Sequence, residues 1–427
     1  MRQDLRFQAK RVPSFFADAR KRDDPMSGTS VALSNLRAFA ILMVVAFHSF
    51  IAYLGWQPDS PVPFDSPPYG WTANPIVDSA RWFGFDLFCA FQYLYLMQLM
   101  FLLSGLFVWP SLSRKGVRTF LRDRCLRLGV PFLLGTYLLM PVAYYPVYRL
   151  TAVDPGWSAF WSHWMALPFW PTGPMWFLWC LLALNVVAAG LYCFAPRAGA
   201  FLGRQSVNAA ARPRQYFIAL VSISAVAYIP LAAVYKPWEW VQLGPFGVQP
   251  GFAPQYAMYF FLGLGIGAQG LERGLLVPDG IFARHWPRWS LGALAAFLLW
   301  IIPSALIETG HGASLPGLQI VADLGFVLAS ATSCFALIGA FLRFATARRP
   351  IYDSISENAY GIYFVHYVFV LWLQYILVGY ALFAIAKAAI VFVGGSILSW
   401  TASAAMCRAS IGARLMGGKR RELAKTP

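Results

Sequence analysis

Apolar residues fill the chain in runs of about twenty, interrupted by short polar or basic stretches. A hydrocarbon core about 30 Å thick takes ~20 helical residues to cross, at ~1.5 Å each. Ten windows are long and apolar enough, near residues 31–54, 84–109, 128–148, 173–195, 215–235, 254–270, 288–308, 318–344, 358–380 and 382–406. They predict an all-α fold, a polytopic integral membrane bundle of about ten transmembrane helices. The sixth window is short and the last two are barely separated, so their edges are loosely drawn. A β-barrel is excluded, because its strands would alternate apolar and polar positions over ~10 residues instead of running apolar for twenty.

The polar stretches divide the chain into a basic N-terminal tail (1–30), a transmembrane domain (31–406) and a basic C-terminal tail (407–427). Hydrophobic residues make up 59% of the chain and charged ones only 12%, which removes the soluble globular classes. With ten spans, both tails and the loops after even-numbered spans share one side. That side holds all the basic residues except Arg81, Arg149 and Lys236 opposite, and Arg37 and Lys387 inside spans. Lys and Arg are retained in the cytoplasm, so both termini are expected there. The net charge of +16 is then a topology signal, with no nucleic-acid partner expected. Residues 1–30 lack the apolar core of a cleavable signal peptide, leaving the first span to direct insertion. The six cysteines have no C-x-x-C spacing, and neither disulfides nor a metal site is expected.

Candidate chemistry begins in the first span, N-L-R-A-F-A-I-L-M-V-V-A-F-H-S-F (35–50). Eleven steps of ~100° bring His48 almost above Arg37 on one helix face, ~16 Å further along the axis. Ionisable groups inside a span turn toward a bundle interior or a wet cavity. A second basic group, Arg118, Arg122, Arg124 and Arg127, crowds the cytoplasmic entrance of the third span, where Arg124 and Arg127 share a face and suit phosphate. His366 lies inside the ninth span, while His163, His285 and His311 fall in loops. Gly265, Gly267 and Gly270 spell G-x-G-x-x-G, but inside an apolar helix that pattern means close packing. Walker, Gly-x-Ser-x-Gly and zincin patterns are absent.

In order along the chain, Arg37 and His48 with ten residues between them, MFLLSGLFVW (100–109), the R-x-x-R of Arg124 and Arg127 running into LGVPF, PMWFLWCLL (174–182), YFFLGLGIGA (259–268) and NAYGIYFVHYVF (358–369) resemble the membrane acyltransferase 3 family of bacterial envelope proteins. Among its members the chain looks closest to the ten-span proteins that succinylate periplasmic glucans, and no appended SGNH-type esterase domain is expected. The resemblance implies a multi-pass protein of the bacterial inner membrane that moves an acyl group, acetyl or succinyl, from cytoplasmic acyl-CoA to a hydroxyl of an envelope polysaccharide or oligosaccharide. No permanently bound cofactor is expected, acyl-CoA being a substrate, and a homodimer stays open. Combined with the helix geometry, the resemblance assigns the phosphates of acyl-CoA to Arg37, Arg124 and Arg127 and the role of general base to His48, whose ordinary pKa of ~6.5 suits it. A transient acyl-histidine is the other route. Asp86 or Asp323, both at about the right depth, would orient the ring; His366 is a separate, second-rank site candidate. The alternative is a secondary transporter or flippase for an envelope glycan precursor, although neither inverted repeats nor paired broken helices are found.

Overall fold

The computed structural model describes residues 28–409, except 237–238, 272–273 and 312–314. The expected tails therefore lie almost wholly outside the described residues. Sixteen helices follow in order: α1 (Gly28–Phe50), α2 (Phe83–Gly105), α3 (Val108–Lys115), α4 (Val117–Arg124), α5 (Val130–Leu134), α6 (Met140–Arg149), α7 (Trp157–Ala166), α8 (Trp176–Phe194), α9 (Arg197–Ala211), α10 (Pro213–Ala232), α11 (Ala253–Ala268), α12 (Ile281–Arg284), α13 (Trp286–Glu308), α14 (Leu318–Phe344), α15 (Pro350–Leu377) and α16 (Ala384–Arg408). A two-stranded antiparallel hairpin, β1 (Val241–Leu243) and β2 (Phe246–Val248), precedes α11. Among the described residues, nine helical stretches are long and apolar enough to cross a bilayer. The protein is an all-α, multi-pass membrane protein.

The sixth expected span differs from the rest. It forms α11, whose 16 residues reach ~24 Å, shorter than the nine stretches just counted. It packs on protein along one face. A Cβ on Gly263 or Gly267 would lie 2.0 Å from the Leu102 carbonyl oxygen or 1.8 Å from that of Leu106, so only glycine lets α11 and α2 touch backbone to backbone. Two other spans begin earlier than their apolar windows. Helix continues from Val117 and from Pro350, because polar residues facing water extend a helix without adding hydropathy.

The third span is not a uniform α-helix. Val130 N–H reaches back five residues to Cys125 O, and Met140 N–H to Gly135 O, making two π-helical turns at Cys125–Gly129 and Gly135–Leu139. Carbonyls in each turn are taken by side chains: Tyr360 Oη–H donates to Arg127 O, and Trp170 Nε1–H to Thr136 O at 2.9 Å. The first turn lies between the cationic entrance and the apolar body of the span.

Helix α1 runs through the middle of the bundle, against α2, α14, α15 and α16. Buried alanines at 32, 38, 40 and 46 allow that crowding. Its exit loop is held by Asp86, in the first turn of α2, which accepts the Gly55 N–H at 2.6 Å and the Trp56 N–H at 3.1 Å. The loop that follows is fixed to α16 by a buried ion pair, Lys387 Nζ lying 2.9 and 2.8 Å from the two Asp78 carboxylate oxygens. The Trp-rich segment after α6 folds as α7, whose Phe160 and Trp164 pack with Phe64 and Tyr144 into an aromatic cluster. His163 is therefore helical instead of in a loop, with its Nδ1 2.9 Å from Asp65.

Candidate active site

Near the middle of α1, Arg37 stays accessible and its guanidinium lies 5.3 Å from the centre of the Phe107 ring. Phe107 also lines a cleft of about 370 Å³ formed with Arg114, Lys115, Phe120, Asp123, Arg124 and Arg127. Here Arg124 lies 5.0 Å from the Phe120 ring centre and within electrostatic reach of Arg37, Asp123 and Arg127. Lys115 engages Asp123 in an ion pair. Among the described residues, no carboxylate bridges to Arg37, Arg114, Arg124 or Arg127. Several guanidinium groups without carboxylate partners, facing an open space between aromatic rings, form a place for polyanionic phosphate next to a flat base. Of the basic residues singled out in the sequence, Arg37, Arg124 and Arg127 gather here. Arg118 and Arg122 do not line the cleft, whereas Arg114 does.

Near the C-terminal end of α1, His48 meets His366 of α15, with Nδ1 and Nε2 3.2 Å apart. The carbonyls fix the tautomers. His366 Nδ1 lies 2.7 Å from Tyr363 O and His48 Nδ1 2.9 Å from Val44 O. A carbonyl can only accept, so both Nδ1 atoms carry hydrogen and both Nε2 atoms hold lone pairs. The His48 Nδ1–H is then shared between Val44 O and His366 Nε2, and His48 Nε2 is left as the basic site. Gln374 of α15 clamps the same end of α1 by donating to His48 O at 2.9 Å and Ser49 O at 3.1 Å. His366 is fully buried and His48 partly so.

Neither carboxylate considered from the sequence orients His48. Asp86 holds the Gly55 and Trp56 amides, and Asp323, buried in α14, accepts from Gln319 at 2.9 Å. A second histidine stands where a carboxylate was expected. Depth along a helix can be read from sequence, but the direction in which a side chain points around the bundle axis cannot. The other residues beside the pair, Tyr367 and Tyr144, were missed altogether. Tyr367 presents its ring edge to His48 at 5.1 Å, and its hydroxyl lies 3.3 Å from that of Tyr144. Their one available signal was the presence of hydroxyls inside apolar spans, shared by many of the 20 tyrosines.

A cationic cleft beside Arg37 and a histidine pair ~16 Å further along α1 stand out from a bundle of apolar helices. The family model for the acyltransferase domain known as acyltransferase 3 matches residues 30–404. The chain belongs to that family and is a membrane acyltransferase, with the bilayer and an acceptor substrate as its partners. No curated protein and no solved structure gives a significant match. Membership weighs against the transporter alternative.

Proposed function

We propose that the protein is an O-acyltransferase that takes an acyl group, acetyl or succinyl, from acyl-CoA entering at the cytoplasmic face and delivers it to a hydroxyl of a cell-envelope glycan. The observation that carries this reading is that α1 places Arg37 beside a polyanion-suited cleft and, about three turns further on, His48 with a free lone pair. Phosphates of acyl-CoA would meet Arg37, Arg124 and Arg127, and its adenine would lie between Phe107 and Phe120. The flexible pantetheine arm would follow the α1 face over the ~16 Å to His48. There His48 Nε2 removes the proton of the acceptor hydroxyl, while Val44 O and His366 Nε2 stabilise the resulting imidazolium through Nδ1–H. The basic-residue distribution supports placing the cleft and both termini in the cytoplasm and the acceptor outside, in the inner membrane of a bacterium.

Equilibrium binding of acyl-CoA to oriented vesicles tests the donor half. Binding is expected in inside-out vesicles only, and Arg124→Ala or Arg127→Ala should each weaken it by roughly 1–3 kcal/mol through a lost charge-assisted contact. Lysine should restore only part, lacking the planar fork. Undiminished affinity in both alanine variants would make these arginines topology signals and remove the donor site. Mass spectrometry of surface glycans with and without the protein identifies the acyl group and acceptor by the mass increment that disappears.

A further inference from the structure

Acyl transfer needs two things at the reacting carbon: a base for the incoming hydroxyl, and a donor for the negative charge that develops on the carbonyl oxygen. The histidine pair supplies only the first. Both Nδ1–H groups face backbone carbonyls, and the free nitrogen of His48 is a lone pair. The guanidinium of Arg37 belongs to the far end of the helix face, ~16 Å away along the axis. Resting on the reading just given, we propose that the Tyr367 hydroxyl, polarised by Tyr144, is the donor that receives the carbonyl oxygen of the thioester.

Three tyrosines of α15 differ in what their hydroxyls reach. Tyr360, Tyr363 and Tyr367 are spaced three and four residues apart, placing them on one helix face. The first two hydroxyls are satisfied by backbone, Tyr360 donating to Arg127 O and Tyr363 to Pro174 O. Tyr367 differs. Its only hydrogen-bond partner among the described residues is the Tyr144 hydroxyl, at 3.3 Å, and Tyr144 has no other partner. Two phenols carry two protons, and one bond between them uses one, so one O–H is left without an acceptor. Both residues are buried, Tyr367 at 5% and Tyr144 at 2% exposure, where an unused donor is costly. A donor left unsatisfied in the resting protein and engaged only when charge appears stabilises the transition state over the ground state.

Of the two rings, Tyr367 is the one in contact with His48, edge-on at 5.1 Å. With Tyr144 O–H donating to Tyr367 O, the remaining proton is on Tyr367, and accepting a hydrogen bond strengthens it as a donor. Its ring is fixed from behind by Gly173, at φ +46°, where a Cβ would lie 3.1 Å from Tyr367 Cε1 and 2.7 Å from Met140 Sδ. Only glycine can form that wall. In the same aromatic cluster, Trp164 Nε1 and Thr136 Oγ1 are also buried without partners among the described residues.

The acceptor hydroxyl oxygen bonds to the thioester carbon as its proton passes to His48 Nε2, and the carbonyl π electrons move to the oxygen that Tyr367 O–H faces. Collapse restores the C=O bond and breaks the C–S bond. The CoA thiolate leaves and takes the proton from His48, giving the ester and free CoA.

The test is Tyr367→Phe in the full-length protein, read as turnover, donor KM and thermal stability. Turnover should fall ~10²–10³-fold, with KM for acyl-CoA within about twofold and stability preserved, and Tyr144→Phe should lose about tenfold. A fluorotyrosine at 367 keeps the shape and fold while making the phenol more acidic, so turnover should shift. Parent-like turnover in both Tyr367 variants overturns the assignment, as does a loss explained by fewer folded molecules. If the parent itself transfers no acyl group from acyl-CoA, the functional reading falls instead. If His48→Gln is inactive while Tyr367→Phe is not, only the Tyr367 assignment falls.

Discussion

Two polar pairs buried among apolar helices are completed in opposite ways. Lys387 and Asp78 satisfy each other: both carboxylate oxygens face the ammonium, Ala80 N–H adds a bond at 2.8 Å, and the two side chains are 1% and 0% exposed. In the His48–His366 pair every hydrogen is committed to a carbonyl or to the neighbouring ring, yet the series ends in one free lone pair. The first pair closes on itself and joins the loop before α2 to α16. The second is open at one atom, and an open atom is what chemistry requires. Burial of an ionisable group therefore does not by itself mark a site. Whether its bonding capacity is used up does.

The largest expected effect comes from breaking the closed pair. Lys387→Met leaves the Asp78 charge buried without a counter-ion and should destabilise by about 3–5 kcal/mol. Adding Asp78→Leu should recover most of that, since replacing both partners by apolar groups is often close to neutral. Whatever fraction of the single variant folds should turn over like the parent. Thermal unfolding of the single and double variants checks this, and a single variant as stable as the parent would show that the pair is not closed.

Breaking the open pair should give the reverse pattern. His48→Gln keeps a hydrogen-bonding side chain of similar reach but has no basic nitrogen at neutral pH. It should insert, purify and bind acyl-CoA like the parent, while acylation falls ~10²-fold or more, the usual scale of general-base loss. A poorly expressed or heat-labile protein whose folded fraction acylates at the parental rate would reduce His48 to a structural role.

How far the sequence reaches follows from the same contrast. The bundle was legible because hydrocarbon demands long apolar runs, and where reading and structure part, at α11, at Val117 and at Pro350, packing or water had released that demand. Arg37, His48, Arg124 and Arg127 were legible as exceptions to apolar runs. Lys387 was visible on the same ground, but its partner Asp78 is one of several carboxylates in an outer segment with no pattern, and nothing in the order of residues pairs them. Asp86 and Asp323 were favoured to orient His48 because a carboxylate is the usual partner of a catalytic histidine. The contact between His366 Nε2 and His48 Nδ1 that lets His366 suffice exists only once α1 and α15 are packed.

The smallest expected effect lies at the cationic cleft. Tyr360 Oη–H donates to Arg127 O, in the π-helical turn that breaks the third span between Arg124 and its apolar body. Tyr360→Phe removes that bond and keeps the ring, at a cost of about 0.5–1.5 kcal/mol, the net worth of a typical hydrogen bond. The carbonyl is that of Arg127 itself, so the loss falls on the backbone that aims its guanidinium at the cleft. A weakened acyl-CoA affinity, by a few-fold to about tenfold, is therefore expected, with turnover at saturating donor unchanged, because His48 is held by other contacts. Titration with acyl-CoA and turnover at saturation measure the two parts separately. An unchanged affinity would mean that the π turn keeps its shape without Tyr360, and a fall in saturated turnover would mean that cleft and base are coupled through α15.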